Sequence, residues 1–195
     1  NKWDVSIVEE TDSQLVSGDA NWTDVSLLLD FNGTNGATTS TDSSDSSHTL
    51  SLLNGASLST TKKKYGASSL YLSSTAGSSG GDYVTIPSST DFDFGAGDFT
   101  VEAWVNLDSL PSSNTSEIIN WSETNSSDGG GSFHFNISSW AGNKLNWNFY
   151  HSSSSYRWAI YGLAVFPTNQ WVHVAAVRDG NVLRLYQDGV HQAVS

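Results

Sequence analysis

No cysteine occurs in the 195 residues, so neither a disulfide nor a thiolate metal site can form. Methionine is missing too, even at position 1, so Asn1 is not an initiator and the chain reads as processed or begun from an internal point. Positive charge is scarce. Eight Lys and Arg stand against twenty Asp and Glu, a formal net charge of −12, and no basic stripe gathers them. Phosphate backbones are bound by clustered positive charge, which argues against nucleic acid and against anionic membrane surfaces as partners. No apolar run is long enough to span a bilayer and no signal-peptide pattern opens the chain, so membrane insertion is not expected. No stretch carries a helical period bounded by caps.

What the chain has is short strand-like runs between Gly, Ser and Asn clusters. Eleven occur: VSLLLDF, TLSLL, SSLYL, DYVTIP, DFTVEAWVNL, SEIINW, SFHFNIS, KLNWNFYH, YRWAIYG, WVHVAAVR and VLRLYQDG. Strands this short and this evenly punctuated predict an all-β sandwich or barrel, and without a fixed-period repeat they do not predict a propeller or β-helix. Residues 1–22 are polar and predict an N-terminal arm or linker, leaving 23–195 for one all-β domain. The acidity serves solubility in a salty medium, or it marks a cation-binding surface. Six Asn-x-Ser/Thr triplets, at Asn21, Asn32, Asn114, Asn120, Asn125 and Asn136, are close to what chance gives in so Asn-, Ser- and Thr-rich a chain.

Two local patterns are sharper. Val172–Val177 and Val182–Tyr186 are β-branched and aromatic, and the Asp-Gly between them suits a tight antiparallel hairpin. A second pair, Asp188-Gly189, turns the chain into a strand from about Val190 that is barely begun at Ser195, as expected of a fragment of something longer. In SFHFNIS and KLNWNFYH, period-2 alternation puts Phe133, Phe135, Ile137, Leu145, Trp147 and Phe149 on one side. His134, Asn136, Asn146, Asn148 and Tyr150 fall on the other. The first set predicts a dry aromatic core. The second predicts an outward ladder that either grips sugar hydroxyls through amide donors and acceptors or is plain solvated surface. Tyr156 and Trp158, beside a serine run, are candidate rings for stacking on a pyranose.

In order and spacing, LLLDFNGTNGATTSTDSSDSSHTL, KYGASSLYL, GDYVTIP, DFDFGAGDFTVEAWVN and WVHVAAVRDGNVLRLYQDGV resemble the laminin G-like, concanavalin A-like lectin/glucanase domains, of the type found in phage and marine bacterial surface proteins. The resemblance spans residues 24–194. It implies a jelly roll of two antiparallel sheets and an extracellular or virion-surface location. Members continue past the second Asp-Gly with further strands, so the resemblance implies that this domain is C-terminally incomplete. Many relatives bind Ca²⁺ where the first strand ends. On that likeness Asp30, Asn32, the Gly66 carbonyl and Asp42 are the candidate ligands, an oxygen set of the kind calcium takes.

Glucanases of the superfamily carry Glu-x-Asp-x-Glu on one strand, so that two carboxylates meet for retaining hydrolysis. Here the five Glu are Glu9, Glu10, Glu102, Glu117 and Glu123, and Glu102 has no carboxylate two positions away. There is also no Gly-x-Ser-x-Gly elbow or His-Glu-x-x-His helix, so catalysis is not expected. Two readings remain: a non-catalytic module that binds glycan or polysaccharide on the Asn/His/Tyr face or a rim loop, and a structural virion component that contacts neighbouring virion or surface proteins without sugar.

Overall fold

A computed structural model describes residues 21–73, 81–95, 97–122, 131–151 and 156–194. At 122, 131, 150, 151, 156–158, 193 and 194 it describes the backbone alone. Almost all of the expected N-terminal arm lies outside the described residues. The chain falls into two compact units, residues 1–95 and 96–195. Among the described residues there is no α-helix, only three short 3₁₀ turns, and the fold is an all-β sandwich.

The first unit carries four three-residue strands: β1 (Ser51–Leu53), β2 (Ser57–Ser59), β3 (Ser69–Tyr71) and β4 (Tyr83–Thr85). β1 pairs antiparallel with β4, and β2 with β3. VSLLLDF, expected as the first strand, is not one. Its backbone is held by side chains and isolated bonds instead: the Leu28 N–H donates to Asp42 and the Leu28 carbonyl accepts from Ser43 N–H, so no ladder forms. High strand propensity does not make a strand when a polar staple satisfies the backbone first.

The second unit holds β5 (Phe99–Val105), β6 (Thr115–Ser122), β7 (Gly131–Ser138), β8 (Lys144–His151), β9 (Tyr156–Val165), β10 (Val172–Asp179), β11 (Val182–Gln187) and β12 (Val190–Val194). They form two four-stranded antiparallel sheets in the orders β12-β11-β10-β5 and β6-β7-β8-β9. Both Asp-Gly turns are where the sequence puts them. Asp188 and Gly189 both have positive φ, as the type I′ turn between β11 and β12 requires. Gly180 (φ +60°) carries the β10–β11 turn, and its N–H donates to Asp98 at 2.6 Å.

The alternation in β7 and β8 fills the space between the sheets. Phe133, Phe135, Ile137, Leu145 and Trp147 are buried, and β10 and β11 oppose them with buried Val172, Val174, Ala176, Leu183 and Leu185. Trp147 is the centre. Its ring stacks on Phe133 at 4.8 Å and on Phe99 of the facing sheet at 5.4 Å, with Phe135 and Phe149 packed at its sides at 5.5 and 5.6 Å. Such pairs contribute about 0.5–1.5 kcal/mol each beyond the area they bury. The Trp147 indole N–H meets no acceptor among the described residues, so the ring holds its place by packing alone.

Trp147→Ala therefore lowers unfolding free energy by about 3–5 kcal/mol in urea titration. Trp147→Phe costs distinctly less, because it keeps a ring in the stack and removes an unsatisfied buried donor.

Candidate functional site

The amide ladder forms in the expected register. Asn136 on β7 stands opposite Asn146 on β8, and His134 stands opposite Asn148. These four residues lie together on the sheet face away from Trp147. The amides do not meet solvent, however. Asn136, Asn146 and Asn148 are each 2% exposed or less. Their donors turn into the protein: Asn146 Nδ2 donates to the Ile160 carbonyl at 2.8 Å, Asn148 Nδ2 to Asn146 Oδ1, and Asn136 Nδ2 to both Glu117 oxygens at 3.3 and 3.4 Å. Alternation decides which side of a sheet a residue takes, not whether that side is wet. The three amides form a buried polar layer. Tyr150, Tyr156 and Trp158 occupy paired positions on β8 and β9, opposite Arg157, His151 and Phe149, and their side chains lie outside the described residues.

The accessible part of this face is its β6 border. Glu117 pairs opposite Asn136, and its carboxylate accepts from Thr115 Oγ1 at 2.6 Å. His134 Nδ1 lies 3.5 Å from Glu117 Oε2, and the two side chains are 32% and 34% exposed. Asn120, opposite His134, is exposed as well. At the end of β7 the Ser139 N–H and hydroxyl both donate to the Asn114 carbonyl, at 3.1 and 2.7 Å. This pins the Ser139–Ala141 turn to the start of β6, and in that turn Trp140 is 77% exposed. Its ring is the most open of the large apolar side chains among the described residues. Sequence reasoning missed Glu117 and Trp140. A bulge between Glu117 and Ile119 breaks the period-2 count that would have placed Glu117 beside Asn136. A tryptophan in a polar turn was a visible signal that the strand pattern obscured.

Of the four candidate metal ligands, three come together. Asp30 Oδ1 accepts from Asn32 N–H at 3.1 Å, and Asn32 Oδ1 accepts from Ala67 N–H at 2.9 Å. Gly66 has φ +62°, and a Cβ there would sit 3.1 Å from Asn32 Oδ1, so glycine lets the two loops close. Asp42 is engaged differently. Its oxygens accept from the backbone N–H groups of Leu28, Ser44 and His48 and from the Ser44 hydroxyl, all at 2.8–2.9 Å. Calcium takes six to eight oxygens. With Asp42 fully hydrogen-bonded and the Asn32 oxygen committed to Ala67, the four residues as folded do not fit the ion. No group of three or more His, Asp or Glu side chains arranged to hold a metal occurs among the described residues.

Burial alone would raise the Asp42 pKa. The four hydrogen bonds outweigh it and hold the carboxyl below its ordinary value of 3.8. A depressed carboxylate pKa gives stability that is present above the unfolded-state pKa and lost as pH falls through the folded one. Asp42→Ala thus costs about 3 kcal/mol at neutral pH, for three backbone donors and a hydroxyl left unpaired. The gap between wild type and variant in chemical denaturation narrows as pH drops below about 4.

Glu102 and Glu117 are the two glutamates on described strands, and each is partnered by histidine rather than by a second carboxylate. Glu102 Oε2 lies 3.3 Å from His173 Nε2, whose ring packs 5.2 Å from Trp104. A retaining hydrolase needs two carboxylates about 5 Å apart, and among the described residues the ion pairs of these two glutamates are both to histidine.

No curated protein sequence matches the chain. Among solved structures it is similar to an S-layer domain-containing protein of Clostridium thermocellum (its residues 221–444), with 19% identity over 88% of this chain and 72% of that one and a TM-score of 0.49. Among the described residues no helix is long and apolar enough to cross a membrane. A laminin G family model, described as the concanavalin A-like lectin/glucanases superfamily, matches residues 78–195. That match takes in both four-stranded sheets, the Trp147 stack and the Glu117 border, and with it the chain belongs to the concanavalin A-like lectin/glucanases superfamily.

Proposed function

We propose that the protein is a non-catalytic carbohydrate-binding module, displayed outside the cell or on a virion surface, that holds glycan at the Glu117–His134–Trp140 border. The observation that carries this reading is a partly exposed carboxylate fixed by Thr115, Asn136 and His134, with an open tryptophan ring in the turn that Ser139 ties to the residue preceding the same strand. A sugar offers adjacent hydroxyls and an apolar C–H face. A fixed carboxylate accepts from the hydroxyls, an imidazole donates or accepts as its tautomer requires, and an indole covers the C–H face. Asn136 acts behind this layer as a positioning residue, since its amide touches Glu117 and not solvent. Polysaccharide is the partner under this reading, and neighbouring virion or surface proteins are the partners if the module is structural.

A glycan array run with and without added Ca²⁺ tests the proposal. At least one glycan class binds, and Glu117→Gln and Trp140→Ala each weaken it about tenfold or more, the loss of one charge-assisted hydrogen bond or one stacked ring. A blank array under both conditions overturns the carbohydrate reading in favour of the structural one. Release of reducing sugar from any bound glycan overturns its non-catalytic part.

A further inference from the structure

Most large apolar side chains of the second unit are inside, with one concentrated exception. On β9, Tyr161 is 44% exposed, Leu163 74% and Val165 56%, and Ala164 between them is exposed too. Between Tyr161, opposite Asn146, and Val165, opposite Lys144, β9 holds two more residues than β8, and this bulge leaves Leu163 and Ala164 exposed between them. Among the described residues β9 is the edge of its sheet. The exposed strip extends onto β12: Gln192 Oε1 accepts the Ala164 N–H at 3.2 Å and Gln192 Nε2 donates to the carbonyl of Val190, whose side chain is 62% exposed.

The stretch that carries the strip is itself uncharged, with Lys144 of β8 standing opposite Val165 at its end. From Trp158 to Val177 there is no Asp, Glu, Lys or Arg, the longest such stretch in the sequence, in a chain of net charge −12. An acidic protein repels its own copies, and a stretch without acidic side chains adds nothing to that repulsion. The four side chains and Ala164 expose on the order of 400 Å² of apolar area, within the about 300–600 Å² of the largest patch on a typical monomer. That is about half of the roughly 800 Å² per partner that a stable interface needs, before the flanking polar rim is counted.

We propose that this strip is the docking surface for a second copy of the chain. The strip is its own complement. Under a two-fold axis at Leu163, two antiparallel strips set Leu163 against Leu163 of the partner subunit and Tyr161 against Val165 of the partner subunit, twice over. Because Gln192 already takes the Ala164 N–H, the copies meet through side chains and not by adding strand to strand. The contact lies on β9 and β12 and uses neither Glu117 nor Trp140, so it does not depend on the carbohydrate reading.

Sedimentation equilibrium over a micromolar to sub-millimolar range, at low and high salt, tests it. The mass rises from 20.9 kDa toward twice that value with concentration, and more readily at high salt, where repulsion between acidic copies is screened. Leu163→Asp and Leu163→Lys each weaken the dimer about tenfold or more while circular dichroism stays unchanged, since the side chain is mostly in water. Tyr71→Asp, at an open apolar residue of the first unit, leaves the dimer intact. A single 20.9 kDa species at every concentration overturns the proposal and leaves the strip to some other partner. A dimer that survives both Leu163 substitutions, that only the Asp variant breaks, or that dissolves in salt overturns it as well, for the contact is then elsewhere or ionic.

Discussion

The second unit depends on one packed column of rings. Trp147 joins Phe133 from its own sheet to Phe99 of the opposite one, and the column continues through Phe133 to Trp121 at 6.2 Å. A β-sheet stores little stability in its ladder alone, because its backbone groups were hydrogen-bonded to water before folding. The gain comes from the face it buries. With no cysteine to staple the chain, the two sheets are held by apolar contact, and the widest contact is this column. Its position sets everything on the other side of β7 and β8. Once Trp147 and Phe135 point inward, Asn136, Asn146 and Asn148 have no choice of side.

Those amides show what a polar residue does when the outer face of a strand is not open water. Each amide nitrogen finds an acceptor in the protein, and the Asn136 oxygen meets no donor among the described residues. The layer carries the orientation of Glu117, which is two-thirds buried and gripped from three directions. A carboxylate held this way loses little side-chain entropy on meeting a ligand, which is the physical advantage of a preorganised contact. The first unit uses the same device for structure. Asp42 replaces a strand ladder with four short hydrogen bonds, and His48 then reaches Asp91 at 3.1 Å and packs on Phe92 at 4.8 Å, closing its loop onto the following turn.

The acidic side chains repel other copies of the chain, while the longest uncharged stretch coincides with the edge strand β9. Exposed edges are where sheet proteins associate, and charge or covering side chains are the usual means of preventing it. Here Gln192 covers one backbone donor and leaves the apolar side chains bare.

The sequence by itself determined the all-β class, the inward row of Phe133, Phe135, Ile137, Leu145 and Trp147, the β10–β11–β12 hairpins with their Asp-Gly turns, and the superfamily. The first three follow from period-2 alternation and turn chemistry, which are local and survive without any tertiary context, and the superfamily from the resemblance of the ordered motifs. Only the tertiary structure decided that VSLLLDF forgoes a strand, that the amides of the outer ladder are dry, that Asp42 spends its oxygens on backbone donors, and that Glu117 meets Asn136 and His134. Each of these turns on which distant groups meet: Leu28 with Asp42, Asn146 with Ile160, Asn136 with Glu117. Local alternation gives a residue its side of the sheet, but exposure and hydrogen-bond capacity are settled by neighbours far away in the chain, and no period in the sequence carries that information.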